Sequence, residues 1–334
     1  MTSRERVVNR LNGKAIDKIP NMNIVMGLAA KSAGVSYREY ASDYRKLVEG
    51  NLICVEAFGI DAVSSISDPM REASAFGAIV EMPEHGVPFS PVPLLKDPVD
   101  VKKLNIVDPH DSERTLDRIK AVALLREKVS DDYPVIGWVE GVLAETADLR
   151  GVNELMIDIA EEASFLKDVF DIVFAQQCRF AKAQIDAGAD FIGIGNAVAS
   201  LVGPVFYERF AMEYDRRLTE YIKSLGAKVK LHICGNTTPI RELVRDHVKP
   251  DIFDLDWMVD FASSVEVYKN SETAVNGNMD PVGVMLQGDL NAVENAVLAC
   301  LSSCDERTLI AAGCEIPADT PKQNLLLMDS LLYC

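Results

Sequence analysis

No stretch of about 18 apolar residues occurs anywhere in this 334-residue chain, so nothing in it has the length of a membrane-spanning helix. The opening segment MTSRERVVNRLNG is charged and amphipathic and lacks the apolar centre of a signal peptide. Positive charge is scarce as well. Lys and Arg number 34 against 51 Asp and Glu, a formal charge of −17, which offers no basic surface for nucleic acid or an anionic membrane. The seven cysteines are an odd set scattered over a long chain, a pattern of reduced thiols or metal ligands rather than a disulfide framework. These absences leave a soluble, cytoplasmic protein whose partners are small molecules or proteins. No low-complexity tract and no phosphate-binding glycine loop occurs, and the Gly193 and Gly195 pair lacks the rest of a dinucleotide pattern.

What is present is a repeat of short Val-, Ile- and Ala-rich runs, each followed by a stretch with helical spacing. Eight runs read as strands: IPNMNIVM from Ile19, DAVSSI from Asp61, YPVIGWVEG from Tyr133, DFIGIGN from Asp190, KVKLHICG from Lys228, DIFDLD from Asp251, TAVNGN from Thr273 and TLIAAGC from Thr308. Helices are expected over Tyr37 to Phe58, Val152 to Ala187, Tyr207 to Leu225 and Pro239 to His247. Eight strands alternating with helices predict an α/β protein, a (β/α)8 TIM barrel in one domain spanning residues 1–334, with an N-terminal helical extension. The stretch from Asp68 to Val107 breaks the rhythm with six prolines between Pro69 and Pro98, and reads as an insertion after the second strand that covers part of the mouth.

His232 and Cys234 in LHICGN lie two residues apart on an expected strand, so both side chains share a face near its C-terminal end. Cys314 in TLIAAGCEIP follows another strand, and barrel closure brings it to the same end. One imidazole and two thiolates suit zinc, and three protein ligands leave a fourth position open, as catalytic sites do. A histidine and a cysteine on a buried strand can also simply fill core space, and the placement of Cys314 is what favours the metal. Cys54 and Cys178 fall in helical patterns, Cys300 and Cys304 lie four apart on a late helix, and Cys334 is terminal. Of the four histidines only His232 sits at a strand end in this way. Asn23, Asp68, Glu140, Asn196, Asp254, Asp256 and Asn278 stand at other strand ends. Six of them, all but Asp254, are candidate substrate-binding residues, and Asp254 or Asp256 is a candidate supporting carboxylate for the metal.

From NGKAIDKIP through LHICGN to AAGCEIPADTPKQN the chain resembles the uroporphyrinogen decarboxylase superfamily. Its His232-x-Cys234 pair with a distant Cys314 is similar to the zinc motif of the methylcobamide:coenzyme M methyltransferases and related bacterial corrinoid-dependent methyltransferases. The resemblance implies a barrel, one zinc ion and a corrinoid protein as partner. It also implies transfer of a methyl group between methylcobamide or cob(I)alamin and a small molecule such as a thiol, a methylamine or an aryl methyl ether. Two alternatives are the decarboxylase itself and a non-catalytic corrinoid-binding module. The decarboxylases supply paired arginines after their first strand to meet a multiply anionic porphyrinogen, whereas NMNIVMGLAA here has none.

Overall fold

The computed structural model describes residues 1–333; Cys334 lies outside the described residues. Seven strands form one wholly parallel sheet in sequence order: β1 (Val63–Ser64), β2 (Val135–Glu140), β3 (Phe191–Gly195), β4 (Lys228–His232), β5 (Ile252–Asp254), β6 (Ala274–Met279) and β7 (Leu309–Ala312). Helices follow the strands and pack outside them, as right-handed parallel crossovers require.

The run from Ile19 differs from its expected form. It makes a single parallel bridge, Asn21 to Ile310, rather than a ladder. Proline at Pro20 removes a main-chain donor, and the chain hydrogen-bonds to both sides in turn. Met22 N donates to Ile310 O at 3.1 Å, and Asn21 O accepts from Asp61 N at 2.8 Å. This irregular segment bridges β7 and the approach to β1, so it stands where an eighth strand would and carries the sheet around into a barrel.

The expected helices are present but punctuated. Asp43 ends Tyr37–Ser42 and its side chain caps Tyr44–Phe58. Residues 161–164, with Glu162 at φ 55°, separate Val152–Ala160 from Phe165–Asp186. The segment from Pro239 becomes helical only over Arg241–Leu243 and Val244–Val248. After β1 the chain runs through the short helix Met70–Ala75 and an irregular, proline-rich stretch before Glu113–Val129, the predicted insertion.

Two apolar layers follow from strand alternation. Outward residues such as Val139, Ile192, Val229 and Phe253 pack under the helices. Inward ones, Ile136, Phe191, Ile252 and Leu309, fill the lower barrel together with Val7 and Leu11. Those last two come from helix Ser3–Leu11, which is nucleated by a Thr2/Glu5 capping box and closes the N-terminal end. The upper half of the interior is therefore the part left for polar residues.

Gly193 shows how tightly that interior is set. It pairs with Trp138 across β2 and β3, and a Cβ built there would stand 2.1 Å from Trp138 Cε3. Gly193→Ala is expected to push the indole off the inner wall and cost about 1–3 kcal/mol, read as a lowered urea midpoint; an unchanged midpoint would show the indole to be free to move.

Candidate metal centre

Alternation along β4 turns Lys230 and His232 into the barrel, and Cys234 lies just beyond the strand end rather than on it. Cys314 follows β7 after Gly313, whose absent side chain matters because a Cβ would stand 2.3 Å from Trp257 N. The three donor atoms converge. His232 Nε2 is 3.1 Å from Cys234 Sγ, Cys234 Sγ is 3.5 Å from Cys314 Sγ, and Cys314 Sγ is 3.8 Å from His232 Nε2. A tetrahedral zinc ion with bonds of about 2.0 Å to nitrogen and 2.3 Å to sulfur spaces its ligands by about 3.5–3.8 Å, so the donor set fits that ion in chemistry, and in spacing at the two Cys314 separations, while the His232–Cys234 pair is closer. The sulfurs are far too distant for a disulfide.

Asp254 on β5 orients the imidazole. Its Oδ2 lies 3.0 Å from His232 Nδ1 and also meets the Lys230 ammonium, while its Oδ1 accepts from Asn276 Nδ2 at 2.8 Å. With Nδ1 committed to Asp254, Nε2 is the nitrogen facing the thiols. Burial opposes the imidazolium, yet Asp254 and Cys314 outweigh it and hold His232 up at about 9 in the metal-free chain. The hydrogen bond from Cys234 and the nearby imidazolium bring Cys314 down to about 4. Cys234, as the donor in that bond and buried, is raised instead. Burial also disfavours ionised Asp254, but Lys230 and His232 pull it down to about 2.

The ligands open onto a cavity of about 210 Å³. Ile24, Met26, Ile66, Pro69 and Trp138 make its apolar walls, and Asp68, Glu140 and Glu315 bring carboxyl groups to it. Of the sequence candidates, Asp68 and Glu140 reach this cavity. Asp68 is tied to Arg114 at 2.5 Å and Glu140 to Arg71 at 2.7 Å. The others are engaged elsewhere. Asn23 Oδ1 accepts from Ala312 N at 2.7 Å and its Nδ2 donates to Asn21, so it fastens the irregular segment to β7. Asn196 turns outward, donating to both oxygens of Asp215 at 3.0 and 3.1 Å. Asp256 caps Met258 N, and Asn278 donates to the carbonyls of Asp256 and Val259.

Lys230, Trp138, Arg71 and Glu315 escaped the sequence reading. Lys230 was within reach of it, since a lysine two residues before His232 shares the same inward face and must find a partner. Arg71 and Glu315 carry no such signal, because each sits in a loop or short helix whose direction is set by packing. Glu315 accepts from Gly27 N at 2.6 Å, and burial pushes it up to about 7.

Known proteins resemble this chain over nearly its whole length. The chain is 26% identical to the methylcobamide:CoM methyltransferase MtbA of Methanosarcina mazei, over 98% of this chain and 96% of that protein. It is 25% identical to the methylcobamide:CoM methyltransferase MtaA of Methanosarcina barkeri, over 97% and 95% of the two chains. A uroporphyrinogen decarboxylase of Synechococcus sp. is 24% identical over 96% and 94%. In three dimensions a methyltransferase from Methanosarcina mazei superposes with a TM-score of 0.89 at 22% identity, covering 99% of this chain and 98% of that one. A profile of the uroporphyrinogen decarboxylase family matches residues 2–331, nearly the whole described barrel, and the chain belongs to that family.

Proposed function

We propose that this chain is a corrinoid-dependent methyltransferase that holds one zinc ion on His232, Cys234 and Cys314 and moves a methyl group between a corrinoid protein and a small molecule in the adjoining cavity. The observation that carries the reading is the convergence of one imidazole and two thiols, 3.1–3.8 Å from one another, on an apolar cavity at the C-terminal end of the strands. The methylcobamide:CoM methyltransferases, similar over nearly their whole length, support it. Bound there, zinc supplies a Lewis acid with an open position, able to make a thiol more acidic or to polarise the heteroatom of a methyl donor.

The chain's own residues do the rest. Asp254 keeps His232 in the tautomer that offers Nε2. Trp138 and the apolar walls keep water from the reacting atoms, which strengthens every polar contact there. Asp68, Glu140 and Glu315 give the substrate its polar contacts. Above the cavity, exposed apolar residues ring the strand ends: Leu201 and Val205 after β3, Trp257 and Met258 after β5, and Val282 after β6. With Val87 and Phe89 of the insertion, they form the surface on which the corrinoid protein docks. The chain acts as one domain and works in the cytoplasm; no helix among the described residues is long and apolar enough to cross a membrane.

Two observations weigh against the alternatives. A porphyrinogen decarboxylase site needs guanidinium groups facing its anionic substrate, but the cavity lining contains no Lys or Arg. Arg71 and Arg114 lie behind it, neutralised by Glu140 and Asp68. A non-catalytic corrinoid-binding module has no use for a three-ligand metal site with an open position. The test is anaerobic spectroscopy with free corrinoid. Wild-type protein should interconvert cob(I)alamin and methylcobalamin when offered thiols, methylamines and aryl methyl ethers, and His232→Ala should not. No change in corrin absorbance across that panel would sink the reading.

A further inference from the structure

Behind the cavity wall five carboxyl groups crowd around two guanidinium groups. Asp68 faces Arg114 and Glu140 faces Arg71. Glu72 lies 3.7 Å from Arg71 and accepts the Glu140 main-chain N–H at 3.2 Å. Glu145 is fully buried on helix Val142–Arg150 with neither oxygen hydrogen-bonded, and Asp148 one turn on has its Oδ2 buried without a partner. Three carboxyls therefore exceed the balancing charge in a largely buried region. A low-dielectric interior does not hold three uncompensated anions side by side, so protons must remain on several of these groups at neutral pH. A zinc ion with two thiolates is itself neutral and leaves that count unchanged.

Asp68 and Glu140 both join this cluster to the reacting space, and Glu140 is the one set beside the His232 strand. Its Oε2 lies over Gly195, within 2.7 Å of where a Cβ would stand, and Gly195 pairs in register with His232. Besides Arg71, Glu72, Asp68, Glu145 and Asp148, Glu140 faces His232 on β4 and shares the cavity with Glu315, Cys234 and Cys314, while Arg114 at the start of Glu113–Val129 reaches the cluster through Asp68. Burial raises Glu140, pushes Glu72 up to about 8, and holds Glu145 and Asp148 well above ordinary carboxyls.

Resting on the methyl-transfer reading, we propose that Glu140, backed by Glu72, Glu145 and Asp148, hands a proton to the oxygen of a neutral methyl ether as its methyl group leaves for cobalt. The methyl C–O bond breaks with its electron pair kept by oxygen. The new C–Co bond uses the electron pair of cob(I)alamin, cobalt passing from Co(I) to Co(III). The Glu140 proton converts the departing alkoxide or phenoxide to the hydroxyl compound, and the Glu140 carboxylate that remains is held by Arg71. A methylammonium donor needs no such proton, and a thiol acceptor releases one. An anionic substrate meets no lysine or arginine in the lining, whereas Trp138, Ile24, Met26, Ile66 and Pro69 suit an apolar ring.

The test compares wild type, Glu140→Gln and Glu145→Gln in anaerobic assays with cob(I)alamin and anisoles whose phenols differ in acidity. General-acid catalysis is worth about 10²–10⁴-fold. Glu140→Gln should lose a factor in that range on anisole, lose far less on 4-nitroanisole, and no longer slow as pH rises. Infrared spectra at pH 7 should show a protonated-carboxyl C=O band that shrinks in both variants, with or without zinc. An equal loss on every ether, an alkaline limb retained in Glu140→Gln, or no such band would overturn the proposal. If wild type methylates a thiol from methylcobalamin but takes no methyl from any ether, this inference fails while methyl transfer stands. No corrin change in either direction overturns both.

Discussion

Cys314→Ala protein is expected to carry no zinc after purification without chelator, to have lost methyl transfer to and from cobalamin, and still to melt cooperatively. The thiolate removed is the one already ionised in the metal-free chain, held down at about 4 by Cys234 and His232. Without it a two-ligand site remains, and three protein ligands are the usual minimum for catalytic zinc. Cooperative melting should persist because the side chain is only half-buried and both apolar layers are complete without the metal. Elemental analysis and a thermal scan decide the matter. Wild-type zinc content in Cys314→Ala would remove Cys314 from the site, and a broad, non-cooperative melt would make the metal structural. The same centre predicts the effect of pH on wild type. His232 keeps its proton up to about 9 and Cys234 is raised, so metal must displace about two protons near neutrality. Zinc affinity, measured by competition with a chelator, should therefore fall as pH falls, by roughly a hundredfold per unit around pH 7.

Asp254→Ala is expected to damage both stability and metal binding. It strips the anion from Lys230, which is 1% exposed, and leaves that ammonium alone in the barrel. Removing one partner of a buried ion pair costs about 3–5 kcal/mol, and losing the carboxylate behind a ligating imidazole costs about 10–100-fold in metal affinity. Lys230→Met combined with Asp254→Asn should recover much of the stability and none of the metal affinity, because no ammonium is then left buried without its carboxylate. Urea denaturation of the metal-free proteins reads the first effect. The pH dependence has a definite sign. The folded carboxyl lies at about 2, below its ordinary 3.8, so its stabilisation is present above pH 4 and is lost as pH falls through 2. That linkage is worth about 2 kcal/mol, and the gap between wild type and Asp254→Asn should close by that order in acid. A gap constant from pH 6 to pH 2 would show that Asp254 is held by shape rather than charge.

Strand placement was largely legible because a buried parallel strand has a local signature, a short apolar run set between helix stop and start signals. It misled at Ile19, where the run is apolar enough but Pro20 and the need to serve two neighbours leave only the bridge to Ile310. Helix boundaries slipped where one side chain decided them, as with the Asp43 cap. Polar residues at strand ends were visible as candidates, but their facing was not. One residue of register separates Gly195, which lies inside the barrel, from Asn196, which turns out to Asp215.

The sequence by itself determined which donor atoms are on offer, one imidazole and two thiols. Side-chain identity, and the two-residue spacing of His232 and Cys234 at a strand end, are local facts that folding does not alter. Only the tertiary structure decided that Cys314, eighty residues beyond Cys234, stands 3.5 Å from it, because that distance depends on the whole sheet curling round to β7. It alone decided which acids matter as well. Glu140 and Glu72 differ from the many solvated carboxylates of this acidic chain only in being closed off from water beside Arg71, and burial and charge balance are properties of the packed molecule that no single segment carries.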